Sequence, residues 1–212
     1  MATKIYDISH TLRPGIAVWP GDTPFRRTIS QSMSGGDSTN GSAVNLSLHT
    51  GTHLDSPGHY LEGAPTVEKL DLSLLIGPAR LVSVEPRDGL IRSESLKVAL
   101  VDRPLRLLVR ANPPTDLSRF PQKFAAFSAE AARAVVDAGV RLLGIDAPSV
   151  DAFAAADLPV HRTLGAAGGV ILENLRLAEA PDGVYQLIAL PLKIEGGDGS
   201  PVRAVLLEGA GS

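Results

Sequence analysis

The chain has 212 residues, 44% of them apolar and 20% charged, so it can bury a core of its own, and its net charge is only −3. No segment is basic enough for a phosphate-binding surface, no apolar run approaches the roughly 20 residues of a membrane span, and the first residues (Met-Ala-Thr-Lys-Ile-Tyr-Asp) lack the apolar stretch of a secretion signal. Cysteine is absent, which removes disulfides, thiolate nucleophiles and cysteine-based zinc sites; the expectation is a cytoplasmic protein that binds neither nucleic acid nor membrane.

Short runs rich in Val, Ile and Leu predict strands over residues 5–9, 44–48 and 80–84. A weak helical pattern covers 93–100, and a further strand is expected over 105–110. Ser128 is a good N-cap and opens the clearest helix, Ala129-Glu130-Ala131-Ala132-Arg133-Ala134-Val135-Val136, which Gly139 stops. Strands at 141–145, 169–172, 186–190 and 202–207 follow, with one short helix at 150–156. Strands outnumber helices in mixed order. The pattern therefore predicts an α/β fold with a mixed β-sheet and flanking helices, not a doubly wound nucleotide-binding domain. No repeat or linker divides the chain, so one domain is expected over 1–212. Residues 34–42 read as a surface loop, and the last four are expected to fray.

Three of the five histidines, His49, His53 and His59, fall within eleven residues. The segment reads His49-Thr50-Gly51-Thr52-His53-Leu54-Asp55-Ser56-Pro57-Gly58-His59. A helix is disfavoured here by two β-branched threonines, by Gly51 and by the Pro57-Gly58 break. Positions 49, 53, 55 and 59 are all odd, so an extended chain sets them on one face, and Val44, Leu46 and Leu48 then point the other way, into the core. Two imidazoles and a carboxylate suit Zn²⁺ or Mn²⁺ and leave coordination positions open for water. His59 lies beyond the bend, which makes it the candidate for carrying protons.

The motif resembles the signature of the metal-dependent cyclase family, which includes bacterial kynurenine formamidases and isatin hydrolases. Further similarity covers Val18-Trp19-Pro20-Gly21-Asp22-Thr23-Pro24-Phe25, Gly144-Ile145-Asp146-Ala147-Pro148-Ser149, Leu172-Glu173-Asn174-Leu175, Ala189-Leu190-Pro191-Leu192-Lys193 and residues 196–205. The resemblance implies a swivelling β/α/β-type single domain, a homodimer or homotetramer, and two divalent metal ions per subunit, Zn²⁺ first and Mn²⁺ second. It implies that His49, His53 and Asp55 bind one metal, that Asp55 and His161 bind the other, and that Glu173 contacts both. His59 would be the proton donor and acceptor, and Trp19 would lie against a substrate ring.

Without the family these last residues stay open. His161 follows Leu158-Pro159-Val160, a strand or loop, where a lone histidine is more often structural. Glu173 ends an apolar run and is either solvated or bound to a cation. Trp19 suits a core or subunit interface as well as a substrate. His10 reads as structural, and Asp198, in Gly196-Gly197-Asp198-Gly199-Ser200, as a residue that orders a turn.

The implied activity is hydrolysis of a small aromatic amide, with the segment 18–25 pointing to N-formyl-L-kynurenine, cleaved to L-kynurenine and formate in tryptophan degradation. The alternatives are a cyclic amide such as isatin, an ester or lactone, or a metal-binding protein without catalysis. No Gly-x-Ser-x-Gly elbow, phosphate-binding loop or dinucleotide fingerprint competes with this reading.

Overall fold

The computed structural model describes residues 4–111, 113 and 116–209; the last three residues, part of the stretch expected to fray, lie outside them. The strands are β1 (Lys4–Asp7), β2 (Arg26–Gln31), β3 (Gly41–Asn45), β4 (His53–Asp55), β5 (Ile76–Ser83), β6 (Leu90–Ile91), β7 (Arg106–Arg110), β8 (Ala126–Phe127), β9 (Leu142–Ile145), β10 (Val170–Glu173), β11 (Gly183–Ile188), β12 (Gly199–Pro201) and β13 (Val205–Glu208). The helices are α1 (Ser93–Leu100), α2 (Ala129–Asp137) and α3 (Pro159–Ala166).

Nine strands make one mixed sheet in the order β1-β13-β11-β5-β7-β9-β10-β4-β12. Its centre, β5-β7-β9-β10, is parallel, and both flanks are antiparallel. Burial follows the layering. The central strands β7, β9 and β10 are buried almost throughout, because they are covered on both faces, whereas β5 and β11 alternate buried and exposed positions.

Two apolar clusters lie on opposite faces of the sheet. Leu107, Val109, Leu143, Ile145 and Ile171 pack against all three α-helices, through residues such as Leu96, Val135 and Leu164. Leu108, Leu142, Val170 and Leu172 face the other way, into a cluster that also contains Tyr6 and Leu206 from one end of the sheet and Leu54 from the other. The sheet is therefore curled, so that its two ends close over this second core. This is the mixed-sheet α/β architecture expected from the sequence.

Helix α2 forms where its cap and its apolar stripe predict it. Ser128 Oγ accepts the Ala131 N–H at 3.1 Å, and Ala131, Ala132 and Val135 are buried. Other expectations fail. Residues 150–156 form bends and turns, not a helix. The helix lies further on, at α3, and carries His161. Its cap is remote: Asp151 Oδ1 and Oδ2 accept the N–H groups of Val160 and His161 at 3.0 and 3.1 Å, and the preceding Leu158 supplies no side-chain cap, so Pro159 at the first position is the one local mark of its start. Finally, residues 44–48 are not a core strand. Val44 ends up exposed on β3, which among the described residues pairs only with the exposed β2, and Leu46 and Leu48 are half-buried.

Candidate active site

The site lies where the parallel strands β9 and β10 end and β4 begins. Glu173 is the last residue of β10 and pairs in register with His53, while Asp55 sits between Ile171 of β10 and Gly199 of β12. Two-residue alternation holds over these three positions alone: His53 and Asp55 share a face, and Leu54 between them enters the second core. His49 reaches the same place by another route. A turn at Thr50-Gly51, with Gly51 at φ +65°, brings its ring back beside Asp55, and a Cβ at Gly51 would meet the Leu12 side chain at 2.5 Å. His59 ends a single 3₁₀ turn, Pro57–His59. The four odd-numbered residues are thus gathered by a turn, a short strand and a 3₁₀ turn, not by one strand face.

Two sets of ligand atoms result. His49, His53 and Asp55 each offer an atom within 4.8 Å of the others, and so do Asp55, His161 and Glu173. Asp55 belongs to both sets. Its Oδ1 lies 2.6 Å from His49 Nδ1 and 3.3 Å from His53 Nε2, and its Oδ2 lies 3.4 Å from His161 Nε2. Glu173 spans the same two sets, with Oε1 3.4 Å from His161 Nε2 and Oε2 3.6 Å from His53 Nε2. Second contacts fix the rings: the Gly51 carbonyl oxygen lies 2.9 Å from His53 Nδ1, and Asp151 Oδ2 lies 2.7 Å from His161 Nδ1.

Burial makes this grouping costly without a cation. His53, Asp55, His161 and Glu173 are each at most 4% exposed. Burial opposes a charge on His49, but the carboxylates of Asp198 and Asp55 outweigh it and push its pKa up to about 10. Burial likewise opposes charge on His53 and His161, yet Asp55 raises the first, and Asp151, Asp55 and Glu173 hold the second well above the usual imidazole range. Burial would raise the Asp55 carboxyl, and the surrounding imidazoles reverse this and hold it well below the carboxylate range. The pocket thus retains protons to neutralise its carboxylates. A divalent cation satisfies the same demand, and nitrogen and carboxylate oxygen are its ordinary ligands, so the donor set fits a metal.

The sequence reading passed over two residues. Asp198, read as a turn former, has Oδ2 3.0 Å from His49 Nε2 and 3.2 Å from His59 Nδ1, and with these histidines it makes a third group of potential ligands. Asp151 was assigned no role. Spacing could not have found either, since Asp198 lies 149 residues from His49.

A cavity of about 460 Å³ opens above these groups. Its other wall is aromatic. Trp19 packs 5.0 Å from Phe120 and 5.2 Å from Phe153, centroid to centroid, and all three line the cavity. The Ala17 N–H donates to the Leu117 carbonyl at 2.8 Å, which ties the Trp19 segment to the Phe120 segment. Trp19 is half-buried at the cavity and not in either core. His10 remains outside this cavity and lines a small adjoining cleft.

Similarity to known proteins agrees with this geometry. The Cyclase family model matches residues 6–152. The chain belongs to the cyclase family. It is 40% identical over 205 residues to the kynurenine formamidase of Bacillus cytotoxicus, covering 97% of this chain and 98% of that protein. The structure of a predicted metal-dependent hydrolase from Bacillus stearothermophilus superposes with a TM-score of 0.80 at 31% identity, over 98% of this chain and 99% of that one. Isatin hydrolase A from Labrenzia aggregata shares the fold, with a TM-score of 0.82 at 24% identity, over 97% of this chain and 93% of that one.

Proposed function

We propose that this cyclase-family protein is a metal-dependent amidohydrolase that cleaves the formamide of N-formyl-L-kynurenine to L-kynurenine and formate. The observation that carries the reading is the pair of ligand sets joined by Asp55 at the floor of an aromatic-walled cavity. Sequence similarity to kynurenine formamidases along nearly the whole chain supports the choice of substrate.

In this reading His49, His53 and Asp55 hold one divalent cation, and Asp55, His161 and Glu173 hold a second, with Zn²⁺ preferred and Mn²⁺ next. Bound cations supply Lewis-acid polarisation of the formyl carbonyl and of the attacking water. Trp19, with Phe120 and Phe153, holds the aryl ring so that the formyl group faces the ligand residues. His59 removes a proton from the water that attacks the formyl carbon, and returns it to the arylamine nitrogen as the carbon–nitrogen bond breaks. The formyl carbon is unhindered and the leaving arylamine weakly basic, so one well-placed imidazole suffices for proton transfer.

The domain extends over 1–212, acts in the cytoplasm without nucleic-acid or membrane partners, and assembles as a homodimer or homotetramer. In support of assembly, the β2–β3 ribbon exposes nearly every residue, Ile29 and Val44 among them. No helix among the described residues is long and apolar enough to cross a membrane.

The test is an assay of the metal-reconstituted protein against N-formylkynurenine, isatin and simple formanilides side by side. Preferred turnover of N-formylkynurenine is expected. Negligible turnover of it beside rapid cleavage of isatin would move the substrate to cyclic amides, and bound metal with no turnover at all would make the protein a binder.

A further inference from the structure

Asp198 occupies a position built with more precision than a turn requires. Its backbone carbonyl accepts two hydrogen bonds from Ser56, from the N–H at 3.0 Å and from Oγ at 2.7 Å. The residue after it, Gly199, pairs with Asp55 in the β4–β12 ladder. A Cβ at Gly199 would meet His49 Cε1 at 2.6 Å, so only glycine lets this strand approach the ring so closely. The Asp198 carboxylate is thereby fixed against the segment that carries Asp55 and His59.

A single oxygen, Oδ2, serves two imidazoles, His49 Nε2 at 3.0 Å and His59 Nδ1 at 3.2 Å. The two rings lie 4.1 Å apart and are tilted by 35°. Asp198 is the only carboxylate paired with His59 among the described residues. An imidazole that donates one N–H to a carboxylate presents the other nitrogen as a lone pair. For His49 the other nitrogen is Nδ1, which lies 2.6 Å from Asp55 Oδ1, so this ring has a carboxylate at each nitrogen. For His59 the other nitrogen is Nε2.

We propose that Asp198 is a positioning residue that fixes the tautomer of His59, so that Nε2 is presented as the proton acceptor, while the same carboxylate oxygen holds the His49 ring from its Nε2 side. This rests on the reading of His59 as the proton carrier. It differs from a purely structural role because it concerns which nitrogen carries the hydrogen, not whether the loop folds.

The experiment uses zinc-loaded full-length protein with ¹⁵N-labelled histidine, and compares the unaltered chain with Asp198→Ala and the isosteric Asp198→Asn. Imidazole ¹⁵N shifts at one fixed pH report the tautomers directly, whatever the substrate. His59 is expected as the Nδ1–H tautomer in the unaltered protein and as a mixture dominated by Nε2–H in Asp198→Ala. In parallel, kcat is measured on the formamide and on an aryl formate ester, whose phenolate leaves without a proton. The kcat of Asp198→Ala should fall by roughly a hundredfold or more on the amide, with KM little changed, and should fall also on the ester, which still needs His59 to take the proton from water. An unchanged His59 tautomer, or an unchanged kcat on both amide and ester, overturns the proposal. Failure of the unaltered protein to cleave N-formylkynurenine would count against the substrate assignment alone, since the ¹⁵N readout and any other formanilide still test Asp198. Should Asp198→Ala not fold, Asp198→Asn keeps the side-chain volume and the backbone acceptor for Ser56 and carries the same readouts.

Discussion

Asp151 both caps the helix that carries His161 and orients the ring of His161. One carboxylate oxygen, Oδ2, accepts the backbone N–H of His161 at 3.1 Å and lies 2.7 Å from its Nδ1. The other, Oδ1, accepts the Val160 N–H at 3.0 Å. Nε2 is left facing Asp55 and Glu173. Replacing Asp151 with Asn should keep one acceptor and lose the anionic partner. Affinity at the His161 position should then fall by about 10–100-fold, and helix capping should weaken by about 1 kcal/mol. Metal titration by calorimetry, beside a thermal melt of the metal-loaded protein, measures both. Undiminished metal affinity would remove Asp151 from the site.

His53 and His59 should respond differently to truncation. His53→Ala deletes a buried nitrogen that lies near both Asp55 and Glu173, so metal and activity should be lost together. His59→Ala should retain metal while kcat falls roughly 10²–10⁴-fold. Elemental analysis beside single-turnover assays separates the two. Equal metal loss in both variants would make His59 a ligand.

Trp19 makes one side of an aromatic wall with Phe120 and Phe153. Trp19→Ala should raise KM for aryl formamides about tenfold with a smaller change in kcat, because the ring is held alike before and during bond cleavage. The same variant should change little on a small aliphatic formamide. A loss confined to thermal stability would assign Trp19 to packing.

Metal removal should make stability fall as pH rises. The folded-state pKa of His49 is about 10, above the ordinary value of about 6.5, and those of His53 and His161 are also raised. Their protonation therefore stabilises the metal-free fold fully below about pH 6.5, and this contribution is lost as pH climbs towards 10. Asp55 acts in the opposite direction: its depressed pKa contributes stability above the ordinary carboxylate range that is lost under acid conditions. The Tm of metal-stripped protein should drop on the order of 5–10 °C between pH 6.5 and 9.5, while zinc-loaded protein changes less and releases protons when it binds metal at pH 7. A flat Tm for the stripped protein across this range would contradict the charge arrangement.

The sheet was legible where burial is simplest. Residues 105–110, 141–145 and 169–172 are apolar runs covered on both faces, and each predicted strand contains or overlaps its observed one: β7, β9 and β10. Ser128 and Gly139 marked α2 because its caps are local. Of the strand expected over 202–207 only 205–207 form one, in β13; residues 202–204 are the break after β12, where the chain passes from one end of the curled sheet to the other. Helix α3 was missed because its cap comes from Asp151, and because Gly165, a poor helix former, is placed there to let Tyr60 approach; a Cβ at 165 would meet the Tyr60 ring at 2.4 Å.

The same division runs through the site. The segment from His49 to His59 could be read directly, because four metal-binding or proton-carrying positions, His49, His53, Asp55 and His59, cannot crowd a short stretch without a common partner, and its chemistry follows from residue type. Where Glu173, His161, Asp151 and Asp198 stand could not be read, since they come from a strand end, a remotely capped helix and two loops. Pairing of β4 with β10 on one side and β12 on the other sets Glu173 and Asp198 around Asp55. Sheet pairing joins residues more than a hundred positions apart through backbone hydrogen bonds, which leave no mark in the spacing of side chains along the chain.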